Sequence, residues 1–129
     1  LTELYPRSKI RVEIEVLTAE AGTRCAGITA ASVALADAGI PMTDMVISVA
    51  SGKINGVVVC DLNKEEDNYG EADLPMGVCA NSGDLVFLQM DGDLSPEEFQ
   101  VAWEYNMGAI APVHKIMIEA LERSNGGDE

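Results

Sequence analysis

The sequence is poor in positive charge. Eight lysines and arginines stand against 22 aspartates and glutamates, for a formal net charge of −14. Nucleic-acid backbones are held through Lys and Arg, so this balance weighs against strong unaided binding to them and suits a soluble cytoplasmic protein. Histidine is almost missing. His114 is the only one, and no cysteine lies near it to share a zinc. The three cysteines, Cys25, Cys60 and Cys79, are scattered and form no CxxC. That excludes a disulfide framework and reads as buried free thiols in a reducing compartment. Long apolar runs are lacking too. Stretches such as Gly56 to Cys60 fall far short of the roughly 20 residues a membrane-spanning helix needs. Around Glu3, Arg7 and Lys9 there is no apolar core of a secretion signal.

What is present suffices for one domain: 129 residues, 47% of them hydrophobic. The chain begins at Leu1 rather than Met, on the lead-in to an expected strand, and so reads as part of a longer protein. In "IRVEIEVL", Ile10, Val12, Ile14 and Val16 alternate with charged residues, which predicts a strand with one buried face over Ile10 to Leu17. A small-residue helix is expected from Arg24 to Ala38, with Thr23 as N-cap after Gly22 and a stop at Gly39 and Pro41. Met45 to Ala50 and Val57 to Leu62 flank the Gly-rich "SGKING" and predict a hairpin; a second hairpin is expected from Leu74 to Met90. "LSPEEF" announces a helix, with Ser95 as N-cap, Pro96 at the first helical position and Glu98 completing a capping box. Pro112 predicts a kink or break near Ala111, and 124–129 a frayed tail. This order makes an α+β domain with a mostly antiparallel sheet and packed helices.

Two stretches could carry chemistry. "AGTRCAG" joins an expected strand to the first turn of a helix, where unpaired N–H groups and the helix dipole favour an anion. Thr23 adds a hydroxyl, and Arg24 adds a charge whose fork geometry suits phosphate. On spacing alone, a capped helix with a surface arginine is the plainer reading. "DLNKEEDNYGEAD", Asp61 to Asp73, holds six carboxylates against one lysine. Its spacing is not that of a calcium loop, because Glu66 stands where glycine is needed and Ala72 where the last glutamate belongs. Asp61 and Asp73 are expected at strand ends, whereas Glu65 and Glu66 read as solvated loop. Asp67 and Asp73 bracket a turn through Gly70, which could bring them together to hold a divalent cation or to act as acid and base.

Taken in order, "LYPRSKIRVEIEVL", "AGTRCAG", "ASVALADAGIPM", "GVVVCDLNKEEDNYGEADLPM" and "FLQMDGDLSPEEF" resemble the RNase PH family of phosphorolytic 3′-to-5′ exoribonucleases. Within that family the resemblance is greatest to the catalytic RNase PH-type subunits of archaeal exosomes, and it covers nearly the whole chain. It implies a β-α-β domain like ribosomal protein S5 domain 2, of which residues 1–129 form the C-terminal portion. It implies a hexameric ring, in which this subunit alternates with an inactive paralogue and RNA-binding cap proteins sit on one face. RNA is the implied partner, with no membrane and no DNA. Inorganic phosphate is the implied co-substrate, with Mg2+ or Mn2+ as cofactor, and nucleoside diphosphates are the product; the reverse reaction would tail RNA.

By the same resemblance, Gly22, Thr23 and Arg24 hold the attacking phosphate. Asp67 and Asp73 are the catalytic pair or the metal site, with Asp67 as general acid and Asp73 its partner, or the reverse. Arg7 and Tyr69 are weaker candidates for RNA contact. Two other roles stay open: a non-catalytic ring subunit, and a bacterial-type RNase PH that trims transfer RNA. This portion alone is expected to be inactive.

Overall fold

The computed structural model describes residues 4–126. Its elements are α1 (Thr23–Asp37), β1 (Val46–Ile54), β2 (Val57–Cys60), α2 (Lys64–Tyr69), β3 (Ala72–Cys79), β4 (Leu85–Leu88), β5 (Asp91–Gly92) and α3 (Pro96–Gly126). The sheet is antiparallel throughout, in the order β2-β1-β3-β4, with β5 also on β3. An α+β domain with packed helices is therefore what the chain builds.

β1 and β2 are joined by Asn55 and Gly56, both in the left-handed region (φ 49° and 73°), the two-residue turn that matches strand twist. The expected Gly-rich connection is thus mostly strand: Ser51 to Ile54 continue β1 and pair with Cys60 to Val57. β2 stops at Cys60, two residues before the predicted end, and Leu62 turns inward as a buried residue.

Ile47, Met76 and Val78 are fully buried and pack with Ile110 and Met117 of α3. Alternation along β1 and β3 thus gives the core its sheet side, and the stripe on α3 covers it. Where β2 leaves the edge of β1 unpaired, α1 takes over. The Val46 and Ser48 N–H groups donate to the hydroxyls of Ser32 (2.8 Å) and Thr29 (3.0 Å). The small side chains of α1 let it approach a strand edge that would otherwise be open.

α3 begins as expected. The Ser95 N–H donates to the Glu98 carboxylate (2.8 Å), and the Glu98 N–H to Ser95 Oγ (3.2 Å). The predicted break at Pro112 does not occur, since the helix runs unbroken from Pro96 to Gly126. Pro112 removes one donor, from the carbonyl of Gly108, and both residues are exposed, so water can serve that carbonyl. Residues 124–126 continue the helix where a frayed tail was expected; 127–129 lie outside the described residues. Although α3 has 31 residues, no helix among the described residues is long and apolar enough to cross a membrane.

Four other expectations are corrected. Ile10 to Leu17 form no strand among the described residues. The alternation is real, but a strand exists through its ladder and no described strand pairs with it; Ile10, Val12, Ile14 and Val16 remain 41–56% exposed. Residues 64–69 form a short helix rather than a loop. The N-cap of α1 is Gly22, not Thr23, which is already helical. Of the cysteines only Cys25 is buried; Cys79 is intermediate and Cys60 exposed.

Candidate active site

Gly22 has φ 61° and ψ 8°, and Ala21 before it has φ 83°. Nothing lies within 4 Å of the space a Cβ at Gly22 would occupy, so backbone conformation rather than room calls for glycine there. A left-handed residue followed by a helical one turns consecutive N–H groups into one concavity. Among the described residues no side chain caps α1, so its first N–H groups have no side-chain partner there.

The second half of the site comes from α2 and β3. Asn63 accepts from the N–H groups of Glu65 (2.9 Å) and Glu66 (3.0 Å), and Glu66 returns a bond to the Asn63 N–H (2.8 Å). This reciprocal cap makes a helix out of a run of acids, which also suit its positive end. Asp67 lies on that helix. Asp73 is the second residue of β3, opposite Gly52 on β1 and Asp91 on β5. Its strand is held tightly: a Cβ at Gly92 (φ 85°) would collide with the Glu71 carbonyl oxygen.

Gly22, Thr23 and Arg24 line one cavity of about 820 Å³ together with Asp67 and Asp73. Asp61, Cys60, Cys25 and Ser48 share its wall, and Ala109 and Val113 of α3 close it on the apolar side. Asp61 adopts φ 61° just beyond β2, with its N–H bound to the Ala50 carbonyl (2.9 Å). The other two candidates stand apart from this wall. Tyr69 ends α2 and is 84% exposed; Arg7 is exposed with φ 63°.

The electrostatics distinguish the carboxylates. Burial pushes the Asp73 carboxyl above its ordinary range, the negative charge of Asp67 pushes it further, and Arg24 partly offsets both. The surroundings of Asp73 thus work against its charged form. Burial also raises the Cys25 thiol, opposed by Ser48 and reinforced by Asp73, so Cys25 is not poised as a nucleophile.

The chemistry of the pair suits a hard cation. Among the described residues no group of three or more His, Cys, Asp or Glu side chains could form a full metal cage. Two carboxylates and a phosphate-bearing substrate are a usual Mg2+ environment, so Asp67 and Asp73 fit one.

Sequence reasoning passed over Gln89, whose amide oxygen accepts from Arg24 Nη1 at 2.5 Å. Its signal was its place immediately after the strand "LVFL", opposite the chemistry-bearing strand.

Comparison with known proteins identifies the family and the fold. Models of the 3′ exoribonuclease family match residues 1–41 (domain 1) and 44–105 (domain 2). The chain is 53% identical over 121 residues to the exosome complex component Rrp41 of Thermoplasma volcanium, covering 94% of this chain and 49% of that protein. It is 55% identical over 122 residues to the exosome complex component Rrp41 of Pyrococcus horikoshii, covering 95% and 49%. The chain therefore spans about half the length of these relatives. Among solved structures, rice Rrp46 shares the fold with a TM-score of 0.73 at 22% identity, over 80% of this chain and 49% of that one. The cell-death-related nuclease CRN-5 of C. elegans does so with a TM-score of 0.65 at 17% identity, over 78% and 58%.

Proposed function

From the premise that this chain belongs to the RNase PH family of 3′ exoribonucleases, we propose that it is the catalytic portion of an exosome subunit that degrades RNA from its 3′ end with inorganic phosphate. The observation that carries this reading is the single cavity lined by Gly22-Thr23-Arg24 on one side and Asp67 with Asp73 on the other.

Phosphate binds against the N–H concavity at Gly22 and the Arg24 guanidinium, which fix its orientation and offset its charge. One phosphate oxygen bonds to the phosphorus of the terminal phosphodiester as the bond from that phosphorus to the 3′ oxygen of the preceding nucleotide breaks. The terminal nucleotide leaves as a nucleoside diphosphate. The departing 3′ oxygen needs a proton, and Asp73, whose carboxyl burial and the charge of Asp67 push above its ordinary range, is the donor in this reading. In the alternative in which Asp67 and Asp73 are both ionised and hold a Mg2+ or Mn2+ ion, that ion would supply charge stabilisation at the leaving oxygen in place of the proton. A phosphoanhydride bond in the released diphosphate replaces the phosphodiester bond that breaks, and the same residues serve RNA tailing in reverse.

The protein works in the cytoplasm within a hexameric ring, alongside an inactive paralogue and RNA-binding cap proteins. With so few basic residues of its own, this half leaves most of the grip on RNA to the remainder of the subunit and its neighbours. The test is product analysis with the full-length subunit in its assembled ring. Nucleoside diphosphates released only when phosphate is present support the reading. No phosphate-dependent product would leave a scaffolding subunit as the better account.

A further inference from the structure

Arg24 is surrounded by acids yet paired with none. Asp67 and Asp73 line its cavity, but among the described residues the ion pairs within 4.0 Å join other partners. Its side-chain hydrogen bond goes instead to a neutral amide, Gln89, 65 residues away in sequence.

The backbone explains why that amide is there. The Gln89 N–H donates to the Pro75 carbonyl at 3.0 Å, which sets Gln89 opposite Pro75 in the register that also pairs Met76 with Leu88 and Asp73 with Asp91. Pro75 has no N–H to return, so the ladder lapses at Gln89 and Met90, between β4 and β5. Residues directly opposite in an antiparallel pair share a face, so Gln89 stands on the face of Pro75, Asp73 and Asp91. An arginine only donates, so the group meeting it must be the amide oxygen.

We infer that Gln89 is a positioning residue for Arg24, orienting the guanidinium toward phosphate without neutralising it. A glutamate of the same shape would hold the arginine equally well but cancel its charge and compete with phosphate for its donors. The inference rests on the proposed phosphate role of Arg24.

The test uses the full-length subunit in its assembled ring and compares wild type with Gln89→Glu, Gln89→Ala and Gln89→Asn. The KM for inorganic phosphate should rise about tenfold or more in Gln89→Glu. It should rise severalfold in Gln89→Ala and also in Gln89→Asn, whose shorter arm does not reach. The KM for RNA and the thermal midpoint should stay close to wild type in all three. An unchanged phosphate KM in variants of an enzyme that is phosphate-dependent as wild type overturns the inference alone. So does a fall in kcat and RNA affinity with phosphate KM unmoved, the pattern of a merely structural residue. If wild type itself shows no phosphate dependence, the proposed function fails, and this inference with it.

Discussion

Asp73, the proposed proton donor, carries a charge that weighs on the fold. Its carboxyl is raised by burial first and by Asp67 second. A carboxyl with a raised folded pKa binds its proton more tightly in the native state. Stability therefore falls as pH climbs from the ordinary carboxylate range through the raised value, and the cost persists above it. Asp73→Asn removes that charge, so its thermal midpoint at neutral pH should exceed that of wild type while phosphorolytic activity is lost; calorimetry beside the activity assay checks both. Asp67→Asn removes the second cause of the shift. Its pH–rate profile should show the alkaline limb displaced to lower pH, because Asp73 then loses its proton sooner. An unmoved limb would mean that a different group carries the proton. Much at this scale was legible: the pairing of Asp67 with Asp73, and of both with Gly22-Thr23-Arg24, follows from the family motifs. That Asp73 is partly buried was not, because burial depends on how β3 sits in the sheet rather than on neighbours in sequence. Gln89 escaped for the same reason, since its partner lies 65 positions away.

At the scale of elements, β1 to β4 were readable, whereas the two-residue β5 and the missing partner of Ile10 to Leu17 were not. Ile10 to Val16 carry a clean alternation, yet pattern specifies only which face a strand would bury, not whether a partner exists. α2 was hidden by its charge, although Asn63 and Glu66 held the spacing of a reciprocal cap all along. Pro112 misled in the opposite direction. Its missing donor is on the exposed side of α3, where water can stand in. Replacing it with alanine should restore a helical bond and relieve the ring's clash with the preceding turn, raising unfolding stability by up to about 3 kcal/mol in denaturant titration. A decrease would show that the ring has a packing role. Asn106 is the opposite case. It is fully buried, its Nδ2 donates to the Leu74 carbonyl (2.9 Å), and its Oδ1 accepts from Ser51 Oγ (2.6 Å). It thus ties α3 to both β1 and β3 one residue from Asp73. Asn106→Ala leaves two buried polar groups unpaired and a void, and should cost about 2–4 kcal/mol in the same titration. A loss below about 1 kcal/mol would mean that neither bond contributes much.

For the whole molecule, the folded chain gathers one cavity from pieces that are distant in sequence: the entry to α1, the short α2 and the start of β3. The family and the antiparallel α+β fold agree with the sequence reading. The chain spans about half the length of relatives such as Rrp41 of Thermoplasma volcanium, and it carries a formal net charge of −14. The central claim is that inorganic phosphate, held at Gly22-Thr23-Arg24, is the nucleophile. It is tested most directly by following isotopically labelled phosphate through RNA degradation by the assembled ring, with wild type and Arg24→Ala side by side. The account predicts label in the β-phosphate of the released nucleoside diphosphates, at a rate reduced about a hundredfold or more by Arg24→Ala. Release of unlabelled nucleoside monophosphates, or labelled product formed equally fast without Arg24, would contradict it.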